Sequence, residues 1–337
     1  MLITVCTIRQ LPQALALGAS FRQYHPDAPA NAFLIGLADD PSRLPTDVVI
    51  PHPVLSITDV LPAERLSVLS AMYTPTEFAA ACKPHLIQAA MAQHPDDVVV
   101  YADPNCWFYQ PLTAVTDRLE QANTLLTPHI TRAPADAFQP DEKYFQNVGL
   151  YSGDFLAFRR SPETDRLLTW WQDRATDRAH IDFCNGSCLD QIWLMHVPVF
   201  FRGVSVVKNP SWHVAVWNLP QRQLARQSDH WLVNDLAQPT EGQPLFFVNF
   251  KGLSNPDDGL FPYQTRLRLA NRPDVQSLLT DYQRQVSGSD VARFSGIRPA
   301  FGQRPEPMII RGWRRITVQS LRAVTNFVEK VPLPVIR

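Results

Sequence analysis

Short apolar runs alternate with longer amphipathic segments along the first third of the chain. The runs predicted to be strands are residues 2–8, 31–39, 46–51 and 96–103. The segments predicted to be helices are residues 11–26 and 75–92. Pro84 is expected to kink the second helix or to split it in two. The alternation predicts an α/β fold, with a mostly parallel central sheet and helices on both faces.

The middle of the chain continues this pattern less regularly. Further strands are predicted at residues 124–130, 155–160, 203–207 and 244–250. Helices are predicted at residues 161–178 and 189–197. The first of these is well marked, because Ser161 is a typical N-cap residue and Pro162 is suited to the first helical position.

Polar residues stand where several of the predicted strands end. Ligands of open α/β sheets bind beyond the carboxyl ends of the strands. We therefore expect Thr7, Asp39, Asp103 and Asn249 to lie along one rim of the sheet.

Composition excludes several classes of function. The 337 residues contain 31 Lys and Arg against 32 Asp and Glu, so no global basic field favours nucleic acid. The five cysteines form no even disulfide framework, and the Cys184–Cys188 spacing does not match a zinc site. The first ten residues read as a strand rather than a signal peptide, and no apolar run approaches the ~20 residues of a membrane span. We expect a cytoplasmic protein.

The character of the chain changes near residue 290. Residues 300–337 interleave Arg and Lys with Ile, Trp, Leu and Phe, and contain few acidic residues. Such a segment is suited to peripheral contact with an anionic membrane surface. The alternative is a C-terminal helix that packs on the domain and keeps a solvated basic face. The predicted division is a domain of residues 1–290 and a basic amphipathic extension of residues 291–337.

Two short motifs could carry chemistry. Asp103, in Asp–Pro–Asn, could ligate Mn²⁺ or Mg²⁺ bridging two phosphates, whereas Asn105 offers only a neutral oxygen. A capped turn is the alternative. Asp190 and Gln191 could hold sugar hydroxyls and a positive anomeric centre, or Asp190 could simply cap a helix.

Taken in order, the motifs resemble GT-A-type glycosyltransferases, close to the retaining transferases of family 8 and a related set of bacterial putative glycosyltransferase domains. The resemblance covers residues 1 to about 255. It rests on the ordered landmarks "CKPHLIQ", "VVVYADPNCWFYQPL", "GLYSGDFLAFRRSP", "LDQIWLMHVP", "VVKNPSWHVAVWNL" and "PLFFVNFKG".

The resemblance implies retaining transfer of a sugar from a nucleotide-diphospho-sugar, most often UDP-linked, to a sugar or lipid-linked acceptor, as in the synthesis of bacterial surface polysaccharides. The implied catalytic pair is Asp190 and Gln191. The implied nucleotide-binding residues are Thr7, Lys83, Asp103 and Asn105, and Lys251 is a further candidate. The implied sugar and acceptor residues are Ser152, Asp154, His213, Trp217 and Asn218. The implied metal positions are Asp103, Asn105 and Asn249.

The departures from the family pattern cluster in the predicted active site. Asn105 replaces the second carboxylate of D-x-D, and Asn249 stands where the family has a histidine. Ser152 and Asp154 replace an Asn and a Gly, and His213 replaces a frequent Asn.

Three hypotheses follow. The first is a glycosyltransferase with weak or no metal dependence, in which Lys83 and Lys251 replace the charge of the cation. The second is a catalytically silent nucleotide- or sugar-binding subunit. The third is a module that docks on a membrane or a partner through its basic tail.

Overall fold

The computed structural model describes residues 1–228, 230–287 and 291–331. The strands are β1 (Leu2–Cys6), β2 (Phe33–Leu37), β3 (Val54–Ser56), β4 (Val98–Ala102), β5 (Cys106–Phe108), β6 (Thr124–Pro128), β7 (Tyr151–Arg159), β8 (Ile181–Asp182), β9 (Ser187–Cys188), β10 (Val204–Val206), β11 (Arg222–Gln227), β12 (His230–Asp235), β13 (Gln238–Pro244) and β14 (Phe247–Asn249). The α-helices are α1 (Leu11–Tyr24), α2 (Ala63–Met72), α3 (Pro75–Gln93), α4 (Thr113–Leu119), α5 (Glu142–Val148), α6 (Pro162–Arg178), α7 (Val197–Phe200), α8 (Pro273–Ser287), α9 (Val291–Ser295) and α10 (Trp313–Lys330).

The central sheet has seven strands in the order β10-β6-β7-β4-β1-β2-β3. Strand β7 runs antiparallel to β4 and β6, and the other pairs are parallel. The predicted α/β architecture with a mostly parallel sheet is therefore confirmed. Two smaller pairings bear on the site: β14 lies antiparallel to β5, and β11, β12 and β13 form a separate meander.

Buried side chains cover both faces of this sheet, as the almost uninterrupted apolar runs predicted. Ile3 and Val5 of β1 pack in one layer with residues of α2, α3 and α6. Leu2 and Cys6 pack in the other layer with residues of α1. Because alternate side chains of a strand point to opposite faces, a strand covered on both sides must be apolar at nearly every position.

The strand predicted at residues 46–51 is wrong. The third strand lies further along the chain, at β3, and pairs parallel with β2. The run forms no strand: Val49 is 84% exposed, while Val48 and Ile50 are half-buried and pack against the outside of the core. Pro45 and Pro51 bracket the run and each lacks the N–H that a ladder needs.

Two helix predictions need adjustment and a third is confirmed. Pro84 does not split the helix that contains it, because α3 is continuous over its 19 residues. Proline removes one internal hydrogen bond, and this deeply buried helix retains its packing around it. The helix predicted at residues 189–197 is a 3₁₀ helix, Gln191–His196, followed by the single turn α7. For α6, Ser161 caps the first turn by accepting from Thr164 N, as predicted.

The chain forms two compact units, residues 1–305 and residues 306–337. The division at 290/291 predicted from the sequence stays a prediction. Hydrogen bonds tie residues 302–304 to the first unit: Gly302 N donates to Ser70 Oγ at 3.0 Å and Arg304 N donates to Tyr73 O at 3.0 Å. The second unit contains α10.

Gly302 is expected to be essential for this attachment. It has φ +78°, and a Cβ there would lie 2.4 Å from Pro75 N. Gly302→Ala should lower the free energy of unfolding by about 3 kcal/mol, because backbone strain and a backbone clash add. Gly186→Ala is the matched control, since Gly186 has φ +67° with nothing within 4 Å of its Cβ position, and should lose about 1 kcal/mol. If urea denaturation gave equal losses of unfolding free energy for Gly302→Ala and Gly186→Ala, a Cβ at position 302 would not be crowded by Pro75.

Candidate active site

The carboxyl ends of β1, β2 and β4 lie side by side at one edge of the sheet. These strands are adjacent and parallel, so Thr7, Asp39 and Asp103, which follow them, share this edge. Cys6 lies between the acidic groups: burial raises the pKa of its thiol, and Asp39 and Asp103 raise it further. The rim predicted from the strand ends therefore exists.

A later segment covers the part of the rim at Thr7 and Asp39. The Asp39 carboxylate accepts from Ala300 N at 2.7 Å and from Ile8 N at 3.3 Å. Arg9 Nε donates to Ile297 O at 2.7 Å. Thr7 itself is buried. The sequence had predicted a nucleotide contact for Thr7 but did not indicate that residues 297–300 return to this edge.

Asp103 is held in a turn together with Asn105. The Asp103 Oδ1 atom accepts from Asn105 N and from Asn105 Nδ2, both at 2.9 Å. Asn105 thus donates to the carboxylate and does not stand beside it as a second acidic ligand. The capped turn considered for this motif is present, and it also orients the carboxylate whose other oxygen faces Lys251.

The ammonium group of Lys251 lies between the buried carboxylate of Asp103 and the partly exposed carboxylate of Asp154. Lys251 Nζ forms ion pairs with Asp103 Oδ2 and, at 3.0 Å, with Asp154 Oδ1. Asn249 completes the group, because its Nδ2 donates to Asp154 Oδ2 at 2.9 Å and its Oδ1 accepts from Lys251 N at 3.0 Å. Within the described ranges, no cluster of three His, Cys, Asp or Glu could hold a metal ion. The Lys251 ammonium group occupies the space between these carboxylates.

Strand pairing brings Lys251 to this place. Strand β14 pairs with β5 so that Asn249 lies opposite Cys106, and Phe250 N donates to Asn105 O at 2.9 Å. The Lys251 side chain then extends past Gly259, where a Cβ would lie 2.9 Å from Lys251 Cγ. Glycine at this position leaves room for the lysine stem.

A second buried ion pair joins Lys83 and Asp190. Lys83 Nζ bonds Asp190 Oδ2 at 2.8 Å and Gly153 O at 3.0 Å. The Asp190 carboxylate caps no helix, so the capping alternative is wrong. Its Oδ1 atom is buried without a hydrogen-bond partner among the described residues. Burial raises the pKa of Asp190, although Lys83 opposes that rise.

Gln191 is engaged by the main chain. Its Oε1 accepts from Gly153 N at 2.7 Å, and its Nε2 donates to Val148 O at 2.7 Å. The amide therefore links the end of α5 to β7, the strand that carries Ser152 and Asp154. Ser152 is fully buried, and its Oγ accepts from Asp154 N at 3.2 Å.

His213 and Trp217 present unused polar atoms to the interior. His213 has φ +49°, and its Nδ1 lies 2.7 Å from Thr127 Oγ1. His213 Nε2 and Trp217 Nε1 are buried without partners in the described part of the chain. Asn218, in contrast, is used internally: it accepts from Ala215 N at 3.0 Å and donates to the His213 and His129 carbonyls.

Burial controls the ionisation of the histidines here. Desolvation lowers the pKa of His213 to about 3 and that of His129 to about 4, against an opposing effect of Asp154. Burial alone would raise the pKa of Asp154, but Lys251 and Lys83 hold it well below its ordinary value. His129 was not identified from the sequence, because an isolated histidine at a strand end gives no signal of its own.

The site is almost neutralised from within. It combines the carboxylates of Asp103, Asp154 and Asp190 with the ammonium groups of Lys83 and Lys251, so one negative charge is in excess. Ser152–Asp154 connects the two ion pairs, since Gly153 O bonds Lys83 and Asp154 bonds Lys251.

No family model and no curated protein matches the chain. Among solved structures, the galactosyltransferase LgtC, crystallised with donor and acceptor sugar analogues, is similar at 13% identity, covering 85% of this chain and 95% of that chain, with a TM-score of 0.46. The bifunctional glycosyltransferase WbbM is 12% identical over 87% of this chain and 50% of that chain, with a TM-score of 0.45. Mouse xyloside xylosyltransferase 1 is 10% identical over 74% and 96%, with a TM-score of 0.37.

Replacing Lys251 should leave the carboxylates of Asp103 and Asp154 to repel each other without a cation between them. Lys251→Met should lower the free energy of unfolding by about 3 kcal/mol near pH 7.5, since it leaves buried carboxylates without their cation. The loss should shrink near pH 5, because unpaired buried carboxylates have raised pKa values and become protonated. Urea denaturation at both pH values measures this. The control, exposed Lys208→Met, should change little, and a pH-independent loss in Lys251→Met would contradict the pairing.

Buried neutral histidines should make the fold sensitive to acid. The pKa of His213 lies at about 3 in the native state, so below the unfolded value near 6.5 the unfolded chain binds the extra proton. Stability should therefore fall as pH decreases from 6.5, by about 1.4 kcal/mol per pH unit for each such group. His213→Asn, which tolerates positive φ, should remove one such contribution, whereas exposed His230→Asn should not. Identical slopes in all three proteins would refute this.

Proposed function

We propose that this protein is a glycosyltransferase that moves a sugar, with retention, from a UDP-linked or similar nucleotide-sugar to a sugar or lipid-linked acceptor. We further propose that Lys251 replaces the divalent cation. The carrying observation is the position of Lys251 Nζ between Asp103 and Asp154 at the carboxyl edge of the sheet. A cytoplasmic role in building bacterial surface polysaccharide belongs to the same proposal.

An ammonium group can perform part of the work of a metal ion. The departing nucleoside diphosphate gains negative charge, and a fixed cation in a buried site stabilises that charge. A lysine has three N–H donors, of which Lys251 directs two at Asp103 and Asp154. The third can bind a phosphate oxygen. Lys83, which bonds Asp190 and Gly153 O, is the second cation suited to the diphosphate.

Asp190 is the residue we assign to the sugar. One oxygen is held by Lys83, while the buried Oδ1 lacks a partner among the described residues. A fixed carboxylate oxygen of this kind would bind a sugar hydroxyl or stabilise positive charge at the anomeric carbon. We assign Gln191 a positioning role, because both ends of its amide bind the main chain. His213 Nε2 and Trp217 Nε1 are suited to further hydroxyls.

A catalytically silent nucleotide- or sugar-binding subunit is the second candidate. The observation that favours it is the internal pairing of both lysines, which leaves the site with one excess negative charge. A diphosphate must then compete with carboxylates for Lys83 and Lys251. Such a site could still bind an uncharged sugar after losing glycosyltransferase activity.

The experiment is turnover of a panel of nucleotide-sugars, with a chelator and with Mn²⁺. We expect hydrolysis or transfer of at least one donor in the chelator, and less than a roughly tenfold gain from Mn²⁺. Lys251→Ala should lose about 10²-fold to 10³-fold in rate, as when a fixed electrostatic donor is removed. Asn249→His together with Lys251→Ala should recover part of the rate, and only with Mn²⁺, because the family's histidine position is then restored.

Two controls separate the candidates. Lys208→Ala should retain the full rate, and Asp190→Asn should lose turnover while UDP still raises its melting temperature. A UDP-induced shift without turnover of any donor would favour the silent subunit. Activity of wild-type protein that is abolished by the chelator would refute the replacement of the metal by Lys251.

A further inference from the structure

The helix α10 exposes a row of large apolar side chains. It runs from Trp313 to Lys330 in the second compact unit. Between 60% and 72% of each of these side chains is exposed: Trp313, Ile316, Leu321, Val324, Phe327 and Val328. Scattered exposed apolar residues are ordinary, but a contiguous apolar surface on a soluble protein marks an interaction site.

Their spacing places these residues on one side of the helix. Trp313 and Ile316 are three residues apart, as are Val324 and Phe327, and the two pairs are separated by eight residues, close to two helical turns. Leu321 and Val328, seven residues or two turns apart, lie beside them on the same side of the helix. At 1.5 Å per residue, the helix is about 27 Å long. The apolar stripe therefore extends along its whole length. It is too narrow for a buried helix, which is apolar all round.

The remaining sequence of the segment is basic. Residues 308–331 contain Arg311, Arg314, Arg315, Arg322 and Lys330 against a single acidic residue, Glu329. Arg314 and Arg322 are exposed. An apolar stripe bordered by arginines matches the boundary between the headgroups and acyl chains of an anionic bilayer, with tryptophan at home in that boundary.

Charge distinguishes the two candidates for covering this stripe, a second copy of α10 and an anionic lipid surface. Two copies of α10 packed through their apolar sides would bring two strongly basic segments together, with one glutamate in each to offset them. An anionic lipid surface satisfies both the stripe and the arginines. Across the described residues, no helix is long and apolar enough to span a bilayer, so α10 is suited to lie along the surface.

We propose that α10 binds the surface of an anionic phospholipid membrane, with its apolar stripe inserted at the level of the headgroups. The binding is independent of the proposed transferase activity, because no residue of the Lys251 site belongs to α10.

The test is sedimentation of the full-length protein with vesicles. Vesicles of phosphatidylcholine with about one third phosphatidylglycerol should sediment the protein, and pure phosphatidylcholine vesicles should retain at least tenfold less. Arg314→Gln with Arg322→Gln should weaken binding roughly 20-fold at low salt, since each basic residue near an anionic surface contributes about fivefold. Leu321→Gln with Phe327→Gln should weaken binding more than tenfold at any salt concentration.

Exposed apolar residues elsewhere provide the control. Val49→Gln with Val199→Gln removes side chains that are 84% and 80% exposed but lie outside α10, and should leave binding unchanged. The Arg314→Gln, Arg322→Gln variant tests the proposal without disturbing the apolar stripe, so its loss of binding would not be due to misfolding of α10. Equal binding to both vesicle types, or binding that survives the Leu321 and Phe327 changes, would overturn the proposal. A lipid-independent dimer in sedimentation equilibrium, without vesicle binding, would assign the stripe to a second copy and overturn it equally.

Discussion

The contact between Lys251 and the two carboxylates of Asp103 and Asp154 organises the candidate site. It joins the end of β4, strand β7 and the chain after β14, three segments that are distant in sequence. Buried carboxylates repel one another strongly where the surrounding dielectric is low. A cation between them is therefore a structural requirement as well as a chemical opportunity, and here that cation is covalently part of the chain.

A tethered ammonium differs from a bound metal in charge and in exchange. It supplies one positive charge rather than two, and no chelator can remove it. The two candidate functions follow from this difference. A transferase requires Lys251 and Lys83 to donate hydrogen bonds to a diphosphate while they keep their ion pairs with Asp103, Asp154 and Asp190. A binding subunit requires only that these ion pairs stay intact.

The sequence predicted the sheet better than the site. Apolar runs identify strands because burial on both faces leaves few polar positions, and polar strand ends identify the rim. The failure at residues 46–51 has a physical cause, since an apolar run between prolines need not enter a ladder. The Lys251–Asp103 pair spans 148 positions and depends on the register of β14 against β5, which no local pattern specifies. The free Oδ1 of Asp190 is likewise visible only once Lys83 is seen to hold the other oxygen.

The buried polar atoms that lack hydrogen-bond partners indicate which chemical groups of a ligand the site could bind. Its charged atoms are largely paired, whereas the unpartnered buried atoms in the described chain include Asp190 Oδ1, His213 Nε2 and Trp217 Nε1. Leaving such atoms without hydrogen bonds costs about 1–3 kcal/mol each, so a ligand that satisfies them recovers that free energy. A hydroxyl group can both donate to the carboxylate and accept from the indole, whereas a fully deprotonated phosphate can only accept. Under the proposed function, a sugar would therefore use this spare hydrogen-bonding capacity, while the diphosphate would compete for Lys83 and Lys251, which are already paired.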